Sequence, residues 1–376
     1  MMHSSPQKIE QAERLMRDFA DRTGLASARP PVRYLWTDAF AVCNLLELAR
    51  VTSDSRHTEL ALRLVDQVHH VLGRYRSDDS RTGWLSGLEG DEGEAHPTRG
   101  GLRIGKLLPE RRSGEAFDAE LEWERDGQYF HYLTKWMFAL DQVSRATREP
   151  HFNLWARELA EVAHRSFCTG HTRMVWKMST DLSRPLVPSM GQHDPLDGLI
   201  TFAQLDATAL ASSSTPPGPG LSAAIDEFAT MIQRIDFATE DPLGLGALLM
   251  GAAHVDQLMT RGRFAGGALR ASLLRAALEG LFAYARRPDL RQPATSRLAF
   301  REIGLAIGLS ALPLIRDGAF VAALSHYSVL ASQILSFWLE PEHQLAPTWS
   351  AHRDINEVML ASGLVPGACL VLTGLD

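Results

Sequence analysis

The sequence predicts an all-α protein built as an (α/α)6 toroid, and three observations carry that prediction. Apolar periodicity near 3.6 residues dominates the 376-residue chain, while strand-like alternation is scarce. Segments apolar on nearly all sides alternate with amphipathic ones, six of each kind. Each apolar segment opens on a polar or acidic residue, the type that caps a helix start. Helices apolar all round need cover on every side, which a ring of inner helices wrapped by outer ones provides.

In chain order, residues 6–22 form an amphipathic outer helix, and "RYLWTDAFAVCNLLELAR" (33–50) is the first inner one. Residues 58–75 follow as its outer partner, with charged side chains on a solvent face. The adjacent His69 and His70 on it read as solvated or half-buried rather than metal-binding. Residues 76–125 are the longest non-helical stretch, with "TGWLSGLEGDEGE" and "TRGGLRIGKLLPERR"; they predict extended hairpins inserted over one mouth of the ring. "DGQYFHYLTKWMFALDQV" (126–143) is the second inner helix and 151–167 its outer partner. "DPLDGLITFAQLDATALA" (194–211) is the third, followed by the breaker-rich loop "ASSSTPPGPG" (211–220) and an outer helix at 220–235. The fourth inner helix is 241–258 with 268–286 outside it, the fifth 300–315 with 319–339, and 353–372 the sixth. All 376 residues are expected to form one domain.

Composition narrows the function classes. Net charge is −7 and the acids are dispersed, so no basic footprint for nucleic acid exists. Three cysteines in helix-like surroundings do not make a disulfide framework and suit a reducing compartment. The charged N-terminal stretch has no secretory h-region, and no window of about 20 apolar residues appears, so a cytoplasmic protein with no membrane partner is expected. "GGLRIGKL" (100–107) starts like a P-loop, but Leu107 stands where a magnesium-holding Ser or Thr is needed. "HRDIN" (352–356) has the kinase-loop letters without a DFG sequence. HExxH, paired CxxC and GxSxG are absent, so neither metal nor cofactor is expected.

What remains is a ring of polar residues at the inner-helix starts, where parallel inner helices gather at one mouth. Trp36 and Asp38 open the first; Asp126, Gln128, Tyr129 and His131 the second; His193, Asp194 and Asp197 the third. Arg301 and Glu302 open the fifth, and His352, Arg353 and Asp354 the sixth. Capping accounts for single acids: Asp194-Pro195 and Asp241-Pro242 are matching N-cap and N1-proline pairs. It does not account for His193 and Asp197, since Glu240 and Gly244 hold those places in the twin. Gln128, His131, Tyr132 and Lys135 share one helix face. Aromatic rings covering pyranose faces, with Asp, Gln, Arg and His bonding hydroxyls, suit a saccharide ligand.

With these segments in view, the chain resembles the six-hairpin glycosidase-like superfamily, which includes glucoamylase-like hydrolases, unsaturated glucuronyl hydrolases and N-acylglucosamine 2-epimerases. "RYLWTDAFAVCNLLELARVTSD" looks like the first inner helix of the unsaturated glucuronyl hydrolases, including the T-x-D turn, and "DGQYFHYLTKWMFALDQ" looks like a sugar-site helix. The resemblance implies a carbohydrate-active enzyme with a small or oligomeric saccharide in the central cavity. As a hydrolase, Asp126 and Asp194 are the implied acid/base pair, with Asp38 an alternative member. As an epimerase, a histidine such as His131, His193 or His352 shuttles a proton at a sugar carbon. A non-catalytic saccharide-binding protein on the same toroid is the third reading.

Overall fold

A computed structural model describes residues 5–211, 216–287 and 289–372. Twelve helical units alternate outer and inner along the chain. They are α1 (Pro6–Arg22), α2 (Leu35–Thr52), α3 (Ser55–Leu72), α4 (Phe130–Thr147), α5 (His151–Phe167) and α6 (Asp194–Ala211), then α7 (Ser222–Ile232), α8 (Pro242–Thr260), α9 (Gly267–Tyr284), α10 (Ala299–Ser310), α11 (Gly318–Ser325 and Ser328–Leu339) and α12 (Arg353–Leu364). The even-numbered helices form the inner ring: each packs on the next, and α12 packs back on α2. The odd-numbered ones lie outside, and α1 closes the seam by touching both α12 and α2. This is the (α/α)6 toroid.

Local chemistry sets the element ends. Ser5 caps α1 and Asp54 caps α3, each accepting a backbone N–H. Asp241 caps α8 through the Gly244 N–H, with Pro242 in the first turn. The second inner helix starts at Phe130, later than the expected 126, because residues 128–129 form a strand instead. There β1 (Gln128–Tyr129) pairs antiparallel with β2 (Lys177–Met178), and β2 with β3 (Pro185–Val187). The sixth inner helix stops at Leu364 because Pro366 cannot continue it. The sixth outer unit bends by 45° between its two pieces. Among the described residues no single helix is long and apolar enough to cross a membrane.

Residues 76–125 do not form the expected hairpins. They contain two one-to-two-turn helices, Gly90–Ala95 and Ala119–Glu124, and otherwise irregular chain. The segment packs where α2 and β1 begin: the Leu35 N–H donates to Ile104 O and the Ile104 N–H to Gly127 O. His69 is also deeper than expected, buried beside Trp136, whose indole N–H donates to its Nε2 at 3.2 Å. Burial lowers its pKa to about 3, so it stays neutral.

Two features fix the inner ring around its cavity. First, α8 and α10 approach so closely that a Cβ on Gly246 would sit 2.1 Å from the Gly304 carbonyl oxygen. Second, the segment after α12 turns beneath the ring. Gln142 on α4 donates to Ala368 O and Val371 O, at 2.6 and 2.9 Å. Gln257 on α8 donates to Leu370 O and accepts from the Leu372 N–H. These bonds satisfy chain carbonyls that burial would otherwise leave costly, and they floor the cavity.

Candidate active site

The inner helices enclose a cavity of about 460 Å3, within the ~300–1,000 Å3 typical of small-molecule sites. Its wall repeats at helical spacing: Trp36, Phe40 and Cys43 from α2; His131, Lys135 and Phe138 from α4; Asp194, Asp197 and Thr201 from α6; Ala247, Met250 and His254 from α8. Each set recurs at three to four residues, as one face of a helix must. Most apolar positions lie along the wall, and most polar ones gather at the helix starts.

Asp194 is the most perturbed group there. Its carboxyl is buried and held protonated, with a pKa pushed up to about 8 by burial and by the neighbouring Asp197 charge. Gly191 packs against it: a Cβ at that position would lie 2.4 Å from Asp194 Oδ2. Oδ2 has no hydrogen-bond partner among the described residues. Oδ1 faces His131 Nδ1 at 3.6 Å. Burial lowers the His131 pKa to about 4, although 32% of its side chain is accessible from the cavity. One face of its ring lies nearly parallel to Tyr129, at 5.4 Å and 11°, and Tyr129 stacks in turn on Trp176 at 5.0 Å.

His193, just before α6, is the second histidine of the rim. Burial lowers its pKa, while a hydrogen bond with the Phe237 backbone partly offsets this. Its Nε2 is buried and has no partner among the described residues. Lys135 and Asp197 pair across α4 and α6 at 3.1 Å, and Arg301 pairs with Asp241 at 2.5 Å. Trp36 and Phe40 form an aromatic wall, with ring centroids 4.6 Å apart.

Six of the residues placed in the ring of helix starts therefore line the cavity, Trp36, His131, His193, Asp194, Asp197 and Arg301, together with Lys135 and Asp241. The others lie elsewhere. Asp126 is fully buried, with Arg103 Nη1 at 2.5 Å, and its Oδ1 accepts the Gly105 N–H at 3.0 Å. Asp38 reaches back to the Tyr34 N–H at 2.8 Å and sits 3.4 Å from Arg33, as a fastener for the start of α2. Burial raises its pKa to about 6. Gln128 clamps the chain at 100–102, accepting the Leu102 N–H and donating to Gly100 O and Thr180 O. Tyr129 is buried behind His131 rather than facing the cavity.

Glu302 takes both Arg297 and the Trp338 indole N–H, inside the wall. Asp354 and Glu357 bind Arg22 at 2.7 and 2.5 Å, which latches α1 to α12, and Arg353 pairs with Glu357 within α12 at 2.7 Å. His352 packs edge-on to Phe300 at 5.6 Å. A helix start is thus too coarse a locator, because only one side of each start faces inward.

Some lining residues escaped the sequence reading. His254 sits deep in the cavity, with Nε2 3.2 Å from Cys369 O and its ring stacked on Phe138 at 5.2 Å. Burial holds its pKa near 4. Its signal was the helical repeat from Ala247 through Met250, not proximity to the helix start. Gln192, Thr134 and Thr201 are further polar lining residues.

The backbone has known relatives in shape. It superposes on a sugar epimerase from a ruminal bacterium with a TM-score of 0.54, at 7% identity, over 94% of this chain and 98% of that one. It also superposes on cellobiose 2-epimerase from Spirochaeta thermophila DSM 6192 with a TM-score of 0.50, at 11% identity, over 95% and 99%. The likeness is one of fold, the (α/α)6 toroid. No protein-family model and no curated protein matches the sequence.

Proposed function

We propose that this protein is a sugar epimerase or isomerase that moves a proton at the carbon beside the carbonyl of an open-chain saccharide. The observation that carries the reading is a neutral histidine with a free buried Nε2, His193, in the same cavity as the protonated Asp194 beside His131. The two fold neighbours, named as sugar epimerases, support the same choice. A hydrolase needs two carboxyl groups across the scissile bond. Of the three carboxylates expected for that role only Asp194 lines the cavity, since Asp126 and Asp38 are committed to Arg103 and Arg33.

In this reading His193 Nε2 takes the proton from C2. The C–H electron pair becomes the C1=C2 bond, and the carbonyl π pair moves onto the C1 oxygen. His131 returns a proton to the opposite face of C2 from Nε2–H while Nδ1 takes the Asp194 proton. The C1 carbonyl re-forms as C2 is protonated. Solvent then carries the proton from His193 to His131 Nε2 while Nδ1 returns its proton to Asp194, which resets the site. Trp36 and Phe40 cover an apolar sugar face, and the Lys135–Asp197 and Arg301–Asp241 pairs bond hydroxyls.

The test is incubation of reducing sugars with the protein in deuterated water. Deuterium should enter at C2, and His193→Ala or His131→Ala should slow exchange by about 10²–10⁴-fold, the range of positioned acid–base groups. Turnover of aryl glycosides without exchange would instead mark a hydrolase. Sugar-dependent thermal stabilisation with neither reaction would mark a binding protein.

A further inference from the structure

A second cluster of reactive side chains lies outside the cavity, where α5 ends against α7. His164 and Cys168 are one helical turn apart, on one face of the last turn of α5. The Cys168 N–H donates to His164 O at 3.0 Å, which fixes the thiol at the helix end. Glu227 on α7 faces both. The imidazole, thiol and carboxylate each place a donor atom within 4.8 Å of the other two. His164 Nε2 lies 3.0 Å from Glu227 Oε2, yet it is buried and makes no hydrogen bond among the described residues. The two atoms converge without the alignment that a hydrogen bond requires.

A fourth donor approaches from the turn that follows. The Thr169 N–H donates to Arg173 O, and Cys168 bridges Met174, so the chain folds back on itself there. The exposed His171 in this turn brings Nδ1 to 3.9 Å from Glu227 Oε1, the oxygen not turned to His164. The sequence spacing is therefore His-x3-Cys-x2-His, completed by a carboxylate from the neighbouring helix.

We propose that His164, Cys168 and Glu227, with His171 as the fourth donor, bind one divalent transition-metal ion of the zinc class. Two imidazoles, a thiolate and a carboxylate are the donors zinc takes, whereas magnesium and calcium want oxygen alone. Tetrahedral zinc with bonds of ~2.0–2.3 Å spaces its donors by roughly 3.3–3.8 Å, which small side-chain rotations reach from three donors that already lie within 4.8 Å of one another. The Cys168 thiol gives its proton to solvent on binding. The thiolate and the carboxylate then balance the two positive charges. The edge of Phe228, 5.4 Å from His164, shields one side. The role is a clamp: it ties α5, the turn at 169–174 and α7 together just before Trp176, whose ring supports Tyr129 behind His131.

The test uses the full chain, stripped with chelator and titrated with zinc chloride or cobalt(II) chloride. One ion per chain should bind, and zinc should raise Tm. Cobalt should give a thiolate charge-transfer band that Cys168→Ser lacks. His164→Ala and Glu227→Gln should each weaken binding by at least about 10–100-fold, the effect that even outer-shell changes have. His171→Ala should weaken it less, because that ring is exposed. If Cys168→Ser does not fold, Glu227→Gln gives the same reading on its own. Absence of saturable binding at micromolar metal, or unchanged affinity in His164→Ala and Glu227→Gln, would overturn the site. Sugar exchange plays no part in these readouts, so the site stands or falls independently of the epimerase reading.

Discussion

Asp194 is where chemistry and stability oppose each other. Unfolded, it ionises near its ordinary value of 3.8; folded, it keeps its proton to about pH 8. Between those values the unfolded chain releases a proton that the folded chain retains, so this group's contribution to stability falls as pH rises from about 4 to 8. Asp194→Asn removes the slope. At pH 7 the variant should be more stable, on the order of a few kcal/mol, with the difference gone below pH 4 in urea melts. Exchange activity should be lost at the same time. For the unsubstituted protein, kcat/KM should fall above about pH 8, as Asp194 loses the proton it supplies. Asp126 should behave in the opposite way. Asp126→Ala strands the buried Arg103 charge and should cost about 3–5 kcal/mol, with exchange per folded molecule unchanged. A melting curve and an activity assay on the same preparation separate the two outcomes.

The helices carry a prediction that depends on their closest approach. Gly246 lies mid-helix in α8, where alanine would ordinarily gain about 1 kcal/mol of helix propensity. Here the added Cβ meets the Gly304 carbonyl at 2.1 Å. That backbone atom cannot rotate away, so overpacking of ~1–3 kcal/mol outweighs the propensity gain. Gly246→Ala should lower Tm; a rise would contradict the close packing of α8 on α10. The existence of these helices was plain from periodicity, since an all-round apolar stretch with a capping start has few other uses. Their ends were less plain. The delayed start of α4 depends on β1 pairing with β2, some 50 residues away, and no local pattern encodes that pairing. The same distance problem hid the roles of Asp126 and Glu302. Asp126 has its partner Arg103 23 residues back, and Glu302, paired with the nearby Arg297, also takes the remote Trp338 indole, so both acids read as candidates for the mouth.

For the whole molecule, the alternation of helix types was enough to give the ring, and the ring gave one mouth with polar helix starts around it. It did not give the inward side of each start. His193 and Asp197 were legible because capping needs neither; His254 was not, because it lies three turns down the wall. The floor was equally hidden, since residues 367–372 read as the end of a helix rather than as a closing strap. Replacing Gln142 with leucine, which leaves the Ala368 and Val371 carbonyls without this donor, should cost roughly 1–3 kcal/mol and weaken sugar binding in calorimetry. The central claim is that this cavity moves a proton at a sugar carbon. Proton NMR of a reducing sugar incubated with the protein in deuterated water tests it most directly. The C2–H signal should disappear with the native protein and persist with His193→Ala. A signal that persists with native protein across aldoses and reducing disaccharides, or exchange that survives His193→Ala unchanged, would contradict it.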